Sequence, residues 1–389
     1  MARRKRGEPG IAEATARYET WLAARIPLIR ADLELKHRAM SAGTFPFLRA
    51  TFYRWAECWR ATVGDAAEAP LVLAVGDLHV ENFGTWRDAE GRLIWGVNDF
   101  DEAWPLPYTN DLIRLATSAL IAITHHDLAI DPKDAVRAIL QGYRDALDAG
   151  GRAFVLAEEH TELRELAVER LHDPERFWDK LEGFATVKTG TPAVVLAALR
   201  GALPARDLKM RVVHRIAGLG SLGRPRFVAI AQWRGGRVAR EAKALAPSAC
   251  KLAPGNPVSL GSPRDMIRHA MRWATSHGGW KIYYQEIVSR SVRCPDPCVA
   301  VRGAWLVRRL APDCSRIALN ALPKKRHEKQ LLEAMGWETA NVHLGSADAR
   351  ALGADVRRRG KHWLHDAASR MAEAVDADWR DWCKTAGER

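Results

Sequence analysis

A change of hydrophobic period near residue 204 constrains this chain more than any other feature. From about Ala12 to about Arg200 the apolar residues recur mostly at helical spacing. After Pro204 the segments MRVVHRIAGLGSLG, RPRFVAIAQWRGG and RVAREAKAL alternate apolar and polar positions between glycines, which is the period-two pattern of antiparallel strands. A helical pattern does not settle as a sheet, nor the reverse, so an α+β protein is expected, with a small antiparallel sheet between two helical stretches. Three units follow: 1–204, helical with polar loops; 205–313, β-rich; and 314–389, closing helices from about Lys324 to Leu344 and from about Ala354 to Thr385. Within the middle unit a Pro- and Gly-rich stretch, Ala253 to Pro263, leads into a helix to about His277 and then the strand candidates KIYYQEIV and AWLVRRL. At 389 residues, 47% hydrophobic and 27% charged, the chain suffices for two or three cores, which excludes a disordered or fibrous protein.

The first unit opens with helices from about Ala12 to Met40 and from Phe47 to about Val63. Leu71 to Val75 reads as a buried strand entering a loop at Gly76, and RLIWGV as a second strand ending in Asn98 and Asp99. Asn110 is placed to cap a helix reaching about His126, and Asp131 with Pro132 to start another through about Ala149. The longest nearly apolar run, Leu115 to Ile123, is far short of the roughly 18 residues of a membrane helix. The basic start MARRKRGEPG is followed by no apolar stretch and reads as a solvated tail. Six cysteines without a disulfide pattern suit a reducing cytoplasm. Cys294 and Cys298, in CPDPC, lack the second pair that a zinc site needs.

Chemistry concentrates between residues 77 and 111. Three of the six asparagines (Asn82, Asn98, Asn110) and five aspartates fall there, more than solvation of loops requires. In GDLHVENFG, Asp77 and Asn82 follow a buried strand, and NDFDE repeats the arrangement with Asp99 and Asp101. Phosphoryl transfer uses a carboxylate to orient or deprotonate the acceptor hydroxyl, an amide oxygen on one metal ion, and a second carboxylate bridging the metals that neutralise the phosphates. Asp77, Asn82 and Asp99 can supply those roles, with Asp101 an alternative metal ligand. The same residue types also serve plain turns and caps. His79 has no HxH or HExxH partner and is expected to hold the loop by hydrogen bonding, while Asp111 begins a helix where the dipole favours a carboxylate.

GLGSLG places Gly218, Gly220 and Gly223 at GxGxxG spacing around Ser221, between two strand candidates. Glycines let backbone N–H groups approach phosphates. A dinucleotide-binding loop opens a helix, whereas this one opens a strand, so a kinase-like phosphate cover fits better than a dinucleotide site, with an ordinary hairpin as the alternative. The third strand ends in EAKAL, putting Lys243 within reach of the same phosphates.

GDLHVENFG, NDFDEAW and NDLIRL resemble the GDxHxxN, DFD and DL signatures of aminoglycoside and choline phosphotransferases, small-molecule relatives of protein kinases. More closely, FLRATF, GDLHVENFG, VNDFDEA, DLIRLATS, GLGSLGRPRF and KALAPS together resemble the bacterial family called domain of unknown function 2252. The resemblance implies a two-lobed kinase-like fold, ATP and Mg2+ as cofactors, Asp77 as catalytic base, Asn82 and Asp99 as magnesium ligands, and Asp111 as the carboxylate bracing the catalytic loop. Because Asp77 precedes the glycine loop, the arrangement would be circularly permuted, with the chain crossing between lobes near Arg308 to Leu310. One departure stands out: SPRDMIRHAMRWATSHG contains no Glu to pair with Lys243, leaving Asp265, Glu241 and Glu286 as candidates.

The expected function is ATP-dependent phosphorylation of a small hydroxyl-bearing acceptor, with Arg49 and Arg114 either contacting an anionic substrate or forming structural ion pairs. Altered sites of this kind also include catalytically silent and nucleotidyl-transferring proteins. The net charge of +12 and 15 tryptophans set a nucleic-acid binder beside these. Against it, Lys and Arg are dispersed, no nucleic-acid motif is present, and Trp55, Trp59, Trp273 and Trp363 sit at the helical spacing of core residues.

Overall fold

Pro27 divides the first helical stretch. Its missing N–H and its constraint on the preceding residue end one helix and start another, giving α1 (Ile11–Ala23) and α2 (Arg30–Ser41) instead of the single helix expected. The next stretch is likewise split at Thr51 into α3 (Thr44–Ala50) and α4 (Phe52–Val63). Trp55 and Trp59 of α4 are buried, as their spacing implied. The computed structural model describes residues 9–157, 160, 163–165, 174–253, 296, 299–302, 304–314 and 327–387.

Four short strands follow: β1 (Leu71–Ala74), β2 (Phe83–Arg87), β3 (Leu93–Val97) and β4 (Trp104–Pro107). β1 pairs antiparallel with β4, while β2 and β3 form a hairpin joined by β5 (Phe154–Val155). Neither β2 nor β4 stands out in the sequence, the first lying inside the polar loop and the second, WPLP, carrying two prolines that only an edge strand tolerates. Two long helices complete this part, α5 (Thr109–Thr124) and α6 (Pro132–Ala149). Asp131 caps α6 through the N–H groups of Lys133 and Asp134. Asn110, by contrast, is no cap: it lies buried within the first turn of α5, accepting from Trp55 Nε1 (3.0 Å) and donating to Gly76 O (3.3 Å).

After α7 (Pro174–Glu182) and α8 (Ala193–Ala202) the alternating segments form one antiparallel sheet. Its strands β6 (Met210–His214), β7 (Arg226–Trp233), β8 (Gly236–Ala244), β9 (Ala300–Arg302) and β10 (Trp305–Leu310) lie in the order β6-β7-β8-β10-β9. On one face Phe227, Ala242 and Val307 pack against Val195 and Leu199 of α8. On the other, Val228, Ile230 and Leu310 pack against Trp178 and Leu181 of α7. The rest of that second face carries Arg226, Glu241, Lys243 and Arg308, since Arg226 pairs with Lys243 and Glu241 with Arg308. Arg308 to Leu310, expected at a crossing point, are paired residues of β10. The chain leaves the sheet only beyond them, where Asp313 accepts from Thr85 Oγ1 (3.0 Å) and Arg87 Nε (2.9 Å) of β2.

The last helices are α9 (Glu328–His343), α10 (Ala349–Arg358) and α11 (Trp363–Gly387), so the final expected helix is two, parted near Gly360. They share the core built by the first 150 residues. α9 crosses α6 at Gly142 and Gly336, where a Cβ would lie 1.8 Å from Glu333 O and 2.0 Å from Ile139 O respectively. α11 reaches α4 through a buried ion pair between Asp378 and Arg54 (2.8 Å). The helix expected after Pro263, the strand KIYYQEIV, and Asp265, Trp273, Glu286, Cys294 and Cys298 lie outside the described residues. Among the described residues four cysteines are free, and no helix is long and apolar enough to cross a membrane.

Candidate functional site

The chain turns sharply at Gly76 on leaving β1. Its φ of +81° and the Glu102 carbonyl, 2.3 Å from where a Cβ would sit, leave room only for glycine. Asp111, fully buried at the start of α5, fastens this turn by accepting from Val75 N (2.6 Å) and Gly76 N (3.0 Å). Asn110 Nδ2 (3.0 Å) and His343 Nε2 (3.1 Å) donate to the same carboxylate. The turn aims Asp77 at a cavity it shares with His79, Glu81, Asn82, Asp99 and Asp101. His79 Nδ1 accepts from Glu81 N (3.2 Å) and its carbonyl from Asn82 N (2.8 Å), so it does hold the loop.

Asp77 is not free in this setting. Arg114, itself fully buried, donates through both Nε (2.8 Å) and Nη2 to Asp77 Oδ1, and its guanidinium lies over the rings of Phe52 and Trp55. Arg114 is thus the structural partner of Asp77 and is shut off from a substrate, while Arg49 pairs with Glu81 at the cavity wall. Burial raises the Asp77 carboxyl above its ordinary value, although Arg114 works against the rise.

Asn82 ties the two acidic loops together, its Nδ2 donating to the carbonyls of both Asp77 and Asp99 at 3.1 Å. Asp99 and Asp101 lie just beyond β3, where the turn positions them, with Asp101 N donating to Asp99 Oδ1 (3.3 Å). Both carboxylates still meet one cation. Lys243, buried on β8, reaches Asp99 Oδ2 (3.1 Å) and forms an ion pair with Asp101. Glu241 therefore is not the lysine's partner; it is enclosed by Arg215, Arg226 (2.8 Å) and Arg308 (3.2 Å). Burial raises Asp99, but Lys243 and Arg308 outweigh it and hold the carboxyl well below the usual range. Asp101 is raised, first by burial and then by the charge of Asp99.

The glycine loop folds onto this cluster. Gly218, Gly220 and Ser221 line the cavity, and a Cβ on Gly220 would lie 2.9 Å from Arg49 O and 3.5 Å from Asp77 Oδ2. Gly223 is turned away, its carbonyl accepting from Ile29 N (2.8 Å). Three further residues, Lys36, Arg224 and Glu102, belong to the site, the last two lying inside the motifs GLGSLGRPRF and NDFDE. Lys36 of α2 is buried, donates to Gly220 O (3.2 Å) and is pushed down to about 8, chiefly by burial. Arg224, directly after the loop, donates to Tyr18 OH (3.0 Å) and to Glu102 Oε1 (2.9 Å), and lies 3.6 Å from Asp101. Glu102 in turn accepts from Ala249 N (2.7 Å), fixing the turn after Asp101 to the segment after β8. The basic residue in GRPRF was the one available sequence signal for Arg224.

The donors that converge are hard oxygens, the kind magnesium takes. Among the described residues no three His, Cys, Asp or Glu side chains form a complete metal cage. Asn82, with its N–H groups committed to backbone carbonyls, offers its amide oxygen, and Asp99 and Asp101 offer carboxylates. Two carboxylates and an amide leave positions for phosphate oxygens and water, as magnesium sites at nucleotides do. The residues fit that ion.

Fold and site together define an α+β protein with an acidic loop cluster facing a lysine from a separate antiparallel sheet. Residues 28–177 match the family described as an uncharacterized protein conserved in bacteria (DUF2252). The matched segment carries Arg49, Asp77, Asn82, Asp99, Asp101 and Asp111. No curated protein and no solved structure matches the chain.

Proposed function

We propose that this chain is a phosphotransferase of kinase-like, circularly permuted architecture that uses ATP and magnesium to phosphorylate a small hydroxyl-bearing acceptor. One observation carries the reading: Lys243 on the third strand of a five-stranded sheet, two strands after a glycine loop, meets Asp99 across 144 residues of sequence and Asp101 beside it. Protein kinases likewise carry their phosphate-binding lysine on the third strand and a metal-binding Asp on a separate loop. The first 204 residues and the last helices would form one lobe and the sheet of residues 205–313 the other.

Each side chain then has a task. Lys243 would exchange part of its pairing with Asp99 for the phosphates, freeing that carboxylate for metal. Bound magnesium would neutralise charge on the transferred group. Asp77, with Oδ1 occupied by Arg114, presents Oδ2 toward the glycine loop and would accept the acceptor's proton. The cavity measures about 50 Å³ against the roughly 300–1,000 Å³ of small-molecule sites, so nucleotide entry requires the glycine loop to move off Asp77.

The test is ATP turnover followed by phosphorus NMR in the presence of pooled polyols, amino alcohols and sugars. Asp77→Asn is expected to abolish transfer while ATP binding persists. Transfer at the wild-type rate in that variant would remove Asp77 from the mechanism, and absence of transfer in the wild type despite ATP binding would favour a silent scaffold.

A further inference from the structure

Glu241 itself has no role in the chemistry above. The side chain is fully buried in the middle of β8, and three guanidiniums converge on it: Arg226 of β7, Arg308 of β10 and Arg215 of the segment between β6 and the glycine loop. A solitary buried carboxylate needs one such partner. Three placed around it repel one another at close range, and burial together with the charges of Arg226 and Arg308 presses the Arg215 guanidinium below its ordinary value despite Glu241. The arrangement gains most when a multivalent anion joins it.

Its location suits one. The cluster occupies the part of the sheet face that α7 leaves to the acidic cleft, beside Lys243. Arg215 and Arg308 remain about a quarter exposed at their side chains, whereas Arg226 is buried. Arg226 also reaches the glycine loop, donating from Nη2 to Ser221 Oγ (2.8 Å). Guanidiniums bind phosphate oxygens in bidentate fashion and stay charged when partly buried.

We propose that Arg215, Arg226 and Arg308, set by Glu241, form a polyphosphate-binding subsite beside Lys243. Arg215 and Arg308 grip phosphate oxygens directly, and Arg226 couples their occupancy to the glycine loop through Ser221. The subsite rests on the phosphotransferase reading for its nucleotide, yet it would take a free polyphosphate chain by the same chemistry.

The experiment is isothermal titration of the full chain with inorganic tripolyphosphate, ATP and AMP, for wild type, Arg215→Gln and Arg308→Gln. Thermal unfolding of each variant first establishes that it is folded. Charge-assisted hydrogen bonds of this kind correspond to roughly 10- to 100-fold in affinity. Wild type is expected to bind tripolyphosphate and ATP far more tightly than AMP, with each substitution weakening the first two about 10-fold or more and leaving AMP unchanged. Tripolyphosphate binding lost in both variants, with no ATP turnover by wild type, upholds the subsite while refuting the phosphotransferase. ATP bound equally by wild type and both folded variants overturns the subsite and leaves the phosphotransferase intact. Failure of wild type to bind tripolyphosphate at millimolar concentration also overturns it.

Discussion

Replacing Asp111 by Ala tests how the loop after β1 is held without presupposing an activity. Asp111 is fully buried and accepts four hydrogen bonds, from Val75 N, Gly76 N, Asn110 Nδ2 and His343 Nε2, at 2.6 to 3.1 Å. The substitution strands all four donors. Each buried donor left unsatisfied costs about 1–3 kcal/mol, and because the four share one site and relax together, a combined loss of roughly 4–6 kcal/mol is expected. Unfolding entropy of about 2.1 cal/mol/K per residue, scaled to this chain, converts that into a fall in Tm of roughly 5–7 °C. Differential scanning fluorimetry reads the global loss, and hydrogen exchange at Val75 and Gly76 reads the local one. Asp111→Asn, which keeps the shape and one acceptor, should fall between. A Tm within about 1 °C of wild type, with unchanged exchange at those two amides, would refute the bracing role.

Lys36 provides a pH test. Its folded value near 8 lies below the ordinary 10.5, so the folded state binds fewer protons between these values and wild-type stability relative to Lys36→Met should rise with pH through that window, by about 1.4 kcal/mol per unit at most; urea unfolding at pH 7 and pH 9.5 measures the difference, and a constant gap contradicts the burial. Gly142→Ala should lower Tm by several degrees, because the α6–α9 crossing offers its Cβ no space; an unchanged Tm would mean the helices do not meet as described. Gly220→Ala should leave Tm within a few degrees yet weaken ATP binding, since its Cβ meets Arg49 O and approaches Asp77 Oδ2, and titration with undiminished affinity would detach the loop from the site.

Much of the site is legible in the sequence because local rules position it. Asp77, Asn82 and Asp99 follow buried strands, the glycines interrupt a period-two pattern, and Lys243 sits on a strand whose alternation is plain. What the sequence hides is pairing over distance. Register brings Arg308 and Arg226 to Glu241 from the two neighbouring strands, whereas Lys243 meets two carboxylates of a loop outside the sheet, a contact that linear spacing does not show. Lys36 belongs to the site only because α2 packs against the glycine loop, and Tyr18 only because α1 meets Arg224. β4 is hidden by its prolines, and the breaks at Pro27 and Thr51 are masked by continuous helical periodicity. Asn110 shows the same limit, since a residue type suited to capping here serves a buried network.

The proposal stands or falls with Lys243 and Asp99 building one nucleotide site. The most direct measurement is the thermal shift on adding ATP with magnesium to wild type, Lys243→Ala and Asp99→Asn, with EDTA as control. Ligand at about 100 times its Kd stabilises by about 2.7 kcal/mol, or roughly 3 °C for a chain of this length. Wild type should show that shift, and the shift should vanish in both variants and with EDTA. A folded wild type that shows no shift at millimolar ATP, or variants that shift as wild type does, would contradict the proposal.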